Sequence, residues 1–244
     1  MALILNIDTS SSICSVSLAK DGENIKGYES ANPMDHSSSL APFVDKCLSY
    51  LREKNLALEA VSVSDGPGSY TGLRIGLSLA KGVAFALDIP LITISTLKVM
   101  ATRAIFTFEN FMGDELIVPM IDARRMEVYT AVYDSALNEL MKQKAVVLTD
   151  LHTEDKESQK AKSISNLYDL PQNRPVLFIG DGTMKFQPLF PYPNAYWLGS
   201  EMSHAKYMAP LSEKYFKDGR FSDVAYSVPN YLKEYMATKP KSIF

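Results

Sequence analysis

The chain has 244 residues, of which 46% are hydrophobic and 22% are charged, and its formal net charge is −3. That length gives room for one large domain or two small ones, each with a buried core. A net negative charge excludes a general electrostatic attraction to nucleic acid, so we expect no RNA or DNA to be held by this chain alone.

Cysteine usage and hydropathy predict the compartment. The two cysteines, Cys14 and Cys47, lie far apart without CxxC spacing, which is typical of reduced thiols. No uninterrupted apolar run approaches the ~18 residues that a membrane-spanning helix needs. We therefore expect a cytoplasmic protein without membrane contact.

The first half of the chain predicts alternating strands and helices. A β-hairpin that turns at Asp21–Gly22 comes first. The serines from Ser37 to Ser39 are expected to cap the first helix, Ser69 or Thr71 the second, and Ser95 or Thr96 the third. We expect strands at ALILNID, SICSVSL, ENIKGYE, LEAVSVSDG and PLITIS, and helices at HSSSLAPFVDKCLSYLREKN, TGLRIGLSLAKGVAFAL and STLKVMATRAIF.

From Glu115 the same pattern begins again. A last helix, SHAKYMAPLSEKYFKDG, is expected to end at Gly219. The charged segment 150–163 is predicted to be a solvated loop or a loose helix. We expect strands at ELIVPMID, MEVYTAVYD, KQKAVVLT, RPVLFIG and AYWLG, with a helix start after Gly182.

This restart indicates an internal duplication. Asp8 and Asp122 each end the first strand of a half, and 122 − 8 = 114. Gly66 and Gly180 begin the glycine turns of the two halves, and 180 − 66 = 114. STLKVMA and SHAKYMA match at their lysines, and 206 − 98 = 108. We therefore predict two related α/β lobes, residues 1–108 and residues 109–244, each with a mixed sheet flanked by helices.

Duplicated lobes with an aspartate at each first hairpin resemble the actin-like ATPase architecture of sugar kinases and actin. That resemblance implies that nucleotide lies in a cleft between the lobes, contacted by the two hairpins and a glycine turn of the second lobe. The matching candidates for a nucleotide cleft are Asp8, Thr9, Ser10, Asp122, Arg124, Gly180 and Gly182.

The stretch SDGPGSYTGLRIGLSLAKG, Ser64–Gly82, resembles a phosphate-binding loop but lacks the residues that such loops require. A Walker loop needs a lysine and Ser or Thr after its last glycine, whereas Leu73 and Arg74 follow Gly72. The glycine spacing also departs from the dinucleotide fingerprint. A tight turn with a helix cap is therefore favoured over phosphate binding.

The helix after this turn carries small residues at every fourth position: Gly72, Gly76 and Ala80. Such a stripe lets another backbone approach closely. Glycine inside a helix costs ~1 kcal/mol relative to alanine, so a packing reason is required. Two interpretations stay open, a helix pair inside the chain and a contact between subunits.

Other chemical signatures are weak. The histidines His36, His152 and His204 are widely separated, and no local spacing predicts a metal site. No GxSxG motif indicates a hydrolase elbow. Asp8 and Asp122 either hold Mg²⁺ through water or cap their hairpins, and both interpretations stay open.

Four segments together resemble one family. They are ILNIDTSSSICSVSL, HSSSLAPFVDKCL, DGPGSYTGLRIGLSLAKGVAFALDIPLITISTL and IDARRMEVYTAVYD. They look like the TsaB (YeaZ) family, bacterial subunits of the tRNA threonylcarbamoyladenosine machinery that were once grouped with glycoproteases. The match is dense in the first lobe, thinner in the second, and weakest at VPNYLK near the C-terminus.

The resemblance implies a non-catalytic subunit that forms a heterodimer with TsaD, the paralogue that modifies the anticodon-adjacent adenosine of ANN-decoding tRNAs. It also implies a third component, the ATPase TsaE, and contact with tRNA only through the complex. When TsaD is absent, a homodimer is expected. The chain itself is expected to need no cofactor, with ATP or ADP at the interface of the complex. The alternative is a stand-alone actin-fold ATPase or kinase, or a glycoprotease-like hydrolase.

The resemblance also implies which residues act. TsaD holds its metal partly through a His-x-x-x-His pattern, and here Thr96 and Met100 occupy those positions, so we expect no metal and no catalytic residue. Arg124 and Arg125 are expected either to contact an anion or partner or to be solvated hairpin charges. The predicted partner interface comprises Ser37, Leu40, Val44, Gly72, Leu73, Gly76, Leu79, Ala80 and Val83.

Overall fold

The structure is a computed structural model that describes residues 2–30, 32, 36–148, 167–171, 173–190 and 192–233. The predicted strands of both halves are confirmed, and they form two five-stranded sheets. The first sheet contains β1 (Leu3–Asp8), β2 (Cys14–Lys20), β3 (Glu23–Ser30), β4 (Ala60–Gly66) and β5 (Leu91–Ser95). The second contains β6 (Leu116–Asp122), β7 (Glu127–Tyr133), β8 (Glu139–Val147), β9 (Val176–Ile179) and β10 (Ala195–Trp197).

The two sheets have the same topology. The first follows the order β3-β2-β1-β4-β5 and the second the order β8-β7-β6-β9-β10. In each sheet, the first three strands along the chain form an antiparallel meander, and the last two strands are parallel to the first strand and to each other. Duplicated mixed sheets of this kind confirm the predicted actin-like α/β architecture.

Helices connect the strands and cover the sheets. Their bounds are α1 (His36–Glu53), α2 (Tyr70–Leu87), α3 (Thr96–Thr107), α4 (Thr183–Phe186) and α5 (Ala209–Lys217), with 3-10 turns at Leu167–Asp169 and Ala205–Met208. Of the helices in the described ranges, none is both long and apolar enough to cross a membrane.

Local turn chemistry explains several boundaries. Asp21 and Gly22 both have positive φ, 56° and 82°, which is the hairpin turn predicted from the sequence. Ser69 caps α2 by accepting the amide hydrogen of Gly72. Gly219, at φ 65°, follows the last helix as expected.

Three details differ from the sequence-based expectations. Helix α1 begins at His36, so Ser37 lies inside its first turn and does not cap it. The predicted last helix divides into a 3-10 turn and α5, because Pro210 fits only the first turn of an α-helix. The charged segment 150–163 lies outside the described residues.

The helices that cover a sheet do not all come from the same half of the chain. Helices α1 and α2 pack on one face of the first sheet, against Leu5 and Val16. Its other face, which includes Ile4 and Ile92, is covered by the 3-10 turn and α5 from the end of the chain. Helix α3 in turn packs on the second sheet. The limits 1–108 and 109–244 thus separate the strands of the two sheets but not the helices that cover them.

Candidate functional site

The loop after β1 is organised around the carboxylate of Asp8, which is fully buried. Its Oδ1 accepts from the backbone N–H of Ser10 at 2.9 Å, from the Ser10 hydroxyl at 2.7 Å and from the Ser64 hydroxyl at 2.8 Å. Its Oδ2 accepts from the hydroxyl of Ser203. Because four donors already satisfy this carboxylate, the geometry favours the capping interpretation of Asp8 over a Mg²⁺ ligand.

Thr9 brings this loop into contact with α2. Its hydroxyl donates to the carbonyl oxygen of Gly72 at 2.7 Å. A Cβ on Gly72 would stand 2.1 Å from the Thr9 carbonyl oxygen, and one on Gly76 would stand 2.3 Å from Thr9 Oγ1. Only glycine fits at these two positions, because the hairpin loop of the same lobe lies directly against them.

This packing bears on the predicted interface, which stays a prediction. Gly72, Gly76 and Ala80 are buried, and Thr9 lies against both glycines, so the stripe does not form an exposed docking surface by itself. Of the other predicted residues, Ser37 is exposed, whereas Leu79 and Val83 are half-buried. The members that are buried within the lobe are Leu40, Val44, Gly72, Leu73, Gly76 and Ala80.

A groove lies on the surface between α1 and α2. It has a volume of 530 Å³. A second pocket of 320 Å³ adjoins it, sharing Ser37 and Ile75. Farther along α2, Phe85 is 82% exposed and Leu87 is 47% exposed. The residues that line the groove are Ser37, Leu40, Ala41, Arg74, Ile75, Ser78 and Leu79.

The polypeptide beyond α5 returns to α2 at the edge of this groove. The Arg74 guanidinium lies 4.1 Å from the centre of the Tyr70 ring, and its Nε donates to the Tyr231 hydroxyl at 2.8 Å. The rings of Tyr70 and Tyr231 lie 5.0 Å apart. Lys81 donates to the carbonyl oxygen of Ala225 at 2.9 Å. Sequence reasoning did not predict this role of Tyr231, since the VPNYLK segment carries no periodic signal.

The second lobe repeats the aspartate turn of the first. The N–H of Arg124 donates to Asp122 Oδ1 at 2.6 Å, which reproduces the Ser10–Asp8 bond at the same 114-residue offset. Unlike Asp8, Asp122 is exposed. Lys185 donates to Asp122 Oδ1 at 2.5 Å and to the Arg125 carbonyl oxygen at 2.6 Å. The ammonium group of Lys185 therefore neutralises the second aspartate.

Arg124 and Arg125 shape the same turn. Their φ angles are 67° and 50°, in the left-handed region, and both side chains are exposed. Asp181 accepts the amide hydrogen of Asp122 at 2.8 Å, and burial is the main cause that raises the pKa of Asp181.

The glycine turn of the second lobe is packed against protein. Gly180 has φ 109°, and a Cβ on it would stand 2.2 Å from the carbonyl oxygen of Met120. A Cβ on Gly182 would stand 3.0 Å from the Cβ of Met120. Both glycines thus permit a close approach inside the lobe, as Gly72 does in the first.

The residues at the positions of the TsaD histidines do not fit a metal ion. Thr96 and Met100 are fully buried, and the methyl end of Met100 packs against Gly180. A threonine hydroxyl and a thioether are poor ligands for a hard divalent metal. Among the residues with described positions, no group of three or more His, Cys, Asp or Glu is placed to hold a metal.

Comparisons with known proteins agree on one family. The family model described as "TsaD: tRNA N6-adenosine threonylcarbamoyltransferase" matches residues 31–243. The tRNA threonylcarbamoyladenosine biosynthesis protein TsaB of Bacillus subtilis is 31% identical, over 94% of this chain and 93% of that protein. TsaB of Escherichia coli is 28% identical, over 97% of this chain and 96% of that protein.

Solved structures agree as well. YeaZ from Pseudomonas aeruginosa superimposes with a TM-score of 0.74 at 25% identity, covering 95% of this chain and 100% of that chain. Sequence and fold therefore identify the same relatives. The chain belongs to the TsaB/YeaZ family, and it carries the domain of the TsaD family model over residues 31–243.

Proposed function

We propose that this chain is a non-catalytic subunit in tRNA threonylcarbamoyladenosine biosynthesis, and that it forms a heterodimer with a TsaD protein. The names of its relatives support the pathway, and the family match supports a partner built on the same scaffold. Paralogues of similar shape present equivalent faces to one another, which favours pairing between like lobes.

The observation that carries the proposal is the α1–α2 face. The groove there is lined by apolar side chains, two serines and Arg74, and Phe85 is exposed farther along α2. An exposed aromatic residue beside an apolar groove is typical of a protein contact. Because the glycine stripe packs inward, it acts indirectly, by fixing α2 against the Thr9 loop so that its outer surface is rigid.

The interior of the predicted cleft supports a non-catalytic role. Asp8 is saturated by donors, and Lys185 neutralises Asp122, so neither aspartate is available to position Mg²⁺ and phosphate. These contacts disfavour the alternative of a stand-alone ATPase, kinase or glycoprotease-like hydrolase. ATP or ADP at the boundary of the complex stays a prediction, as do TsaE binding, tRNA contact through the complex and a homodimer without TsaD.

The decisive experiment places a bulky charge in the groove without touching the core. Ser78 is exposed and lines the groove, so Ser78→Arg is expected to abolish co-purification with TsaD while the thermal unfolding midpoint stays unchanged. Ser200→Arg makes the same chemical change at an exposed site in the loop after β10 and is expected to keep the complex. Retention of the complex by Ser78→Arg would place the interface elsewhere.

The enzymatic alternative has a separate test. Purified chain alone is incubated with Mg²⁺ and ATP, and with Asp8→Asn as a control. Turnover that disappears in the variant would overturn the non-catalytic proposal even if the complex forms.

A further inference from the structure

A second surface of the chain carries lysine and arginine side chains that form no ion pair among the described residues. It lies where α3 meets α5, on the side of the first sheet opposite α1 and α2. A partner bound at the α1–α2 face would therefore leave it open. We define the basic face by four residues: Lys98, Lys206, Lys214 and Arg220.

The densest part of the basic face surrounds Tyr215 of α5. The Arg220 guanidinium lies 3.9 Å from the centre of that ring, and the ammonium nitrogen of Lys98 lies 5.9 Å from it. Lys214 and Arg220 are exposed, whereas Lys98 is half-buried in the first turn of α3. Two cations, one from α3 and one from the segment after α5, thus lie against the same aromatic side chain, and Lys214 of α5 is its neighbour in the chain.

No carboxylate of the described chain pairs with these cations. None of the ion pairs among described residues includes Lys98, Lys214 or Arg220. The carboxylates whose charges act on Lys98 are those of Asp134, in the β7–β8 turn, and Glu139, at the start of β8. Both already accept hydrogen bonds from the backbone of their own segment. Because none of these cations is held in an ion pair within the described chain, their charged ends can pair with an external anion.

The pKa of Lys98 agrees with this geometry. Burial lowers it first, and the charges of Arg220 and Lys214 lower it further, while Glu139 and Asp134 act more weakly in the opposite direction. A half-buried lysine that is repelled by its neighbours is stabilised when an anion binds beside it.

The basic face continues to the 3-10 turn at Ala205–Met208, beside the last turn of α3. The ammonium nitrogen of Lys206 lies 4.9 Å from the centre of the Tyr207 ring, and Phe106 beside that ring is 66% exposed. Lys98 and Phe106 are eight residues apart on α3, a rise of about 12 Å, which is more than a single phosphate group spans. Cations spread over neighbouring elements, with an exposed aromatic ring at one end, suit a nucleic-acid strand, whose phosphates and bases they contact together.

We propose that the basic face binds the phosphodiester backbone of RNA, so that this chain contributes contacts to the tRNA held by the complex. The proposal rests on the proposed function only for the choice of RNA as the polyanion. Because the chain as a whole is negative, these contacts are expected to add to binding by a partner and to be weak in isolation.

The test compares RNA binding with and without the cluster. Fluorescence anisotropy measures the affinity of an unmodified tRNA transcript for the TsaD complex, and for the full chain alone, between 50 and 200 mM salt. Lys98→Gln/Arg220→Gln is expected to weaken tRNA binding by the complex about fivefold at the lowest salt and to reduce the slope of log K against log salt by about 1.5–2. Lys20→Gln/Lys142→Gln removes the same two charges from exposed strand positions and is expected to leave both quantities unchanged.

The outcomes separate this proposal from the docking proposal. Co-purification with TsaD tests docking, and it is expected to be the same for wild type and both double variants. Equal tRNA binding by the cluster variant and the control would overturn the basic face as an RNA site, and so would an absence of tRNA binding by both the chain and the complex. Vesicles of anionic phospholipid form a further arm: capture that depends on Lys98 and Arg220 and exceeds tRNA binding would assign the face to a lipid surface and overturn the proposal.

Discussion

The hydroxyl of Thr9 donates to the carbonyl oxygen of Gly72 at 2.7 Å and thereby fixes the first hairpin loop to helix α2. The contact lies between the loop that resembles a nucleotide hairpin and the helix whose outer face lines the groove. In this chain, the loop supports the outer face of α2, because its polar groups form hydrogen bonds inside the lobe.

Two of the three glycines in α2 are expected to respond in opposite ways to alanine. Gly72→Ala puts a Cβ 2.1 Å from the Thr9 carbonyl oxygen, so we expect a loss of about 2–3 kcal/mol in the free energy of unfolding. Gly82→Ala meets nothing within 4 Å and is expected to stabilise by about 1 kcal/mol through helix propensity. Urea unfolding measures both, and equal effects would contradict the assigned packing.

The two duplicated aspartates are expected to differ in structural importance. Asp8→Asn removes a buried negative charge that accepts hydrogen bonds from the hydroxyls of three serines, which should cost about 2–3 kcal/mol of unfolding free energy. Asp122→Asn removes an exposed ion pair with Lys185 and should cost less than about 1 kcal/mol. The same denaturation experiment ranks them, and the reverse order would show that Asp8 is not the structural centre of its loop.

Asp65 is expected to destabilise the fold at neutral pH. It lies at the end of β4, where burial raises the pKa of its carboxyl from 3.8 to about 6. The folded chain therefore favours the neutral acid, so the contribution of Asp65 is fully present below pH 4 and is lost as the pH rises through 6. Its Oδ1 has no hydrogen-bond partner among the described residues.

Replacement of Asp65 by asparagine tests this directly. Asp65→Asn should raise the unfolding free energy at pH 8 by about 1–3 kcal/mol, because the amide never ionises. Near pH 4 the variant and the wild type should be equally stable. A gain that does not depend on pH would show that the charge of Asp65 is not the cause.

The segment after α5 is expected to be held in place by Tyr231. Tyr231→Ala removes the hydrogen bond to Arg74 and the ring contact with Tyr70, worth about 1 kcal/mol. The backbone N–H of Asn230 donates to the Asp65 carbonyl oxygen, and its rate of hydrogen exchange with solvent should then rise about fivefold. Tyr226→Ala, at a side chain that is 84% exposed, should leave that rate unchanged.

The strands and the duplication could be predicted because each leaves a signal in the sequence itself. The period of two in β2 and the Asp21–Gly22 turn depend on neighbouring residues alone, and the 114-residue offset is found by comparing the two halves. The direction of the glycine stripe could not be predicted in this way. Its spacing indicates a close approach, but only the fold shows that Thr9 is the neighbour.

Long-range contacts account for the other differences. Asp8 and Asp122 are equivalent in sequence, and they differ because Ser203, nearly 200 residues away, reaches Asp8, whereas Lys185 reaches Asp122. No periodicity near Tyr231 indicates that it returns to α2. These contacts join distant parts of the chain, so a single sequence carries no local signal for them.

The exchange of α3 and α5 between the sheets has a consequence for biosynthesis. When residues 1–108 have left the ribosome, every strand of the first sheet has been synthesised. Helix α5, which covers the face of that sheet opposite α1 and α2, is not synthesised until near the end of the chain. The nascent first half therefore exposes an apolar sheet face throughout elongation, and we expect the two lobes to complete folding together after synthesis rather than one after the other.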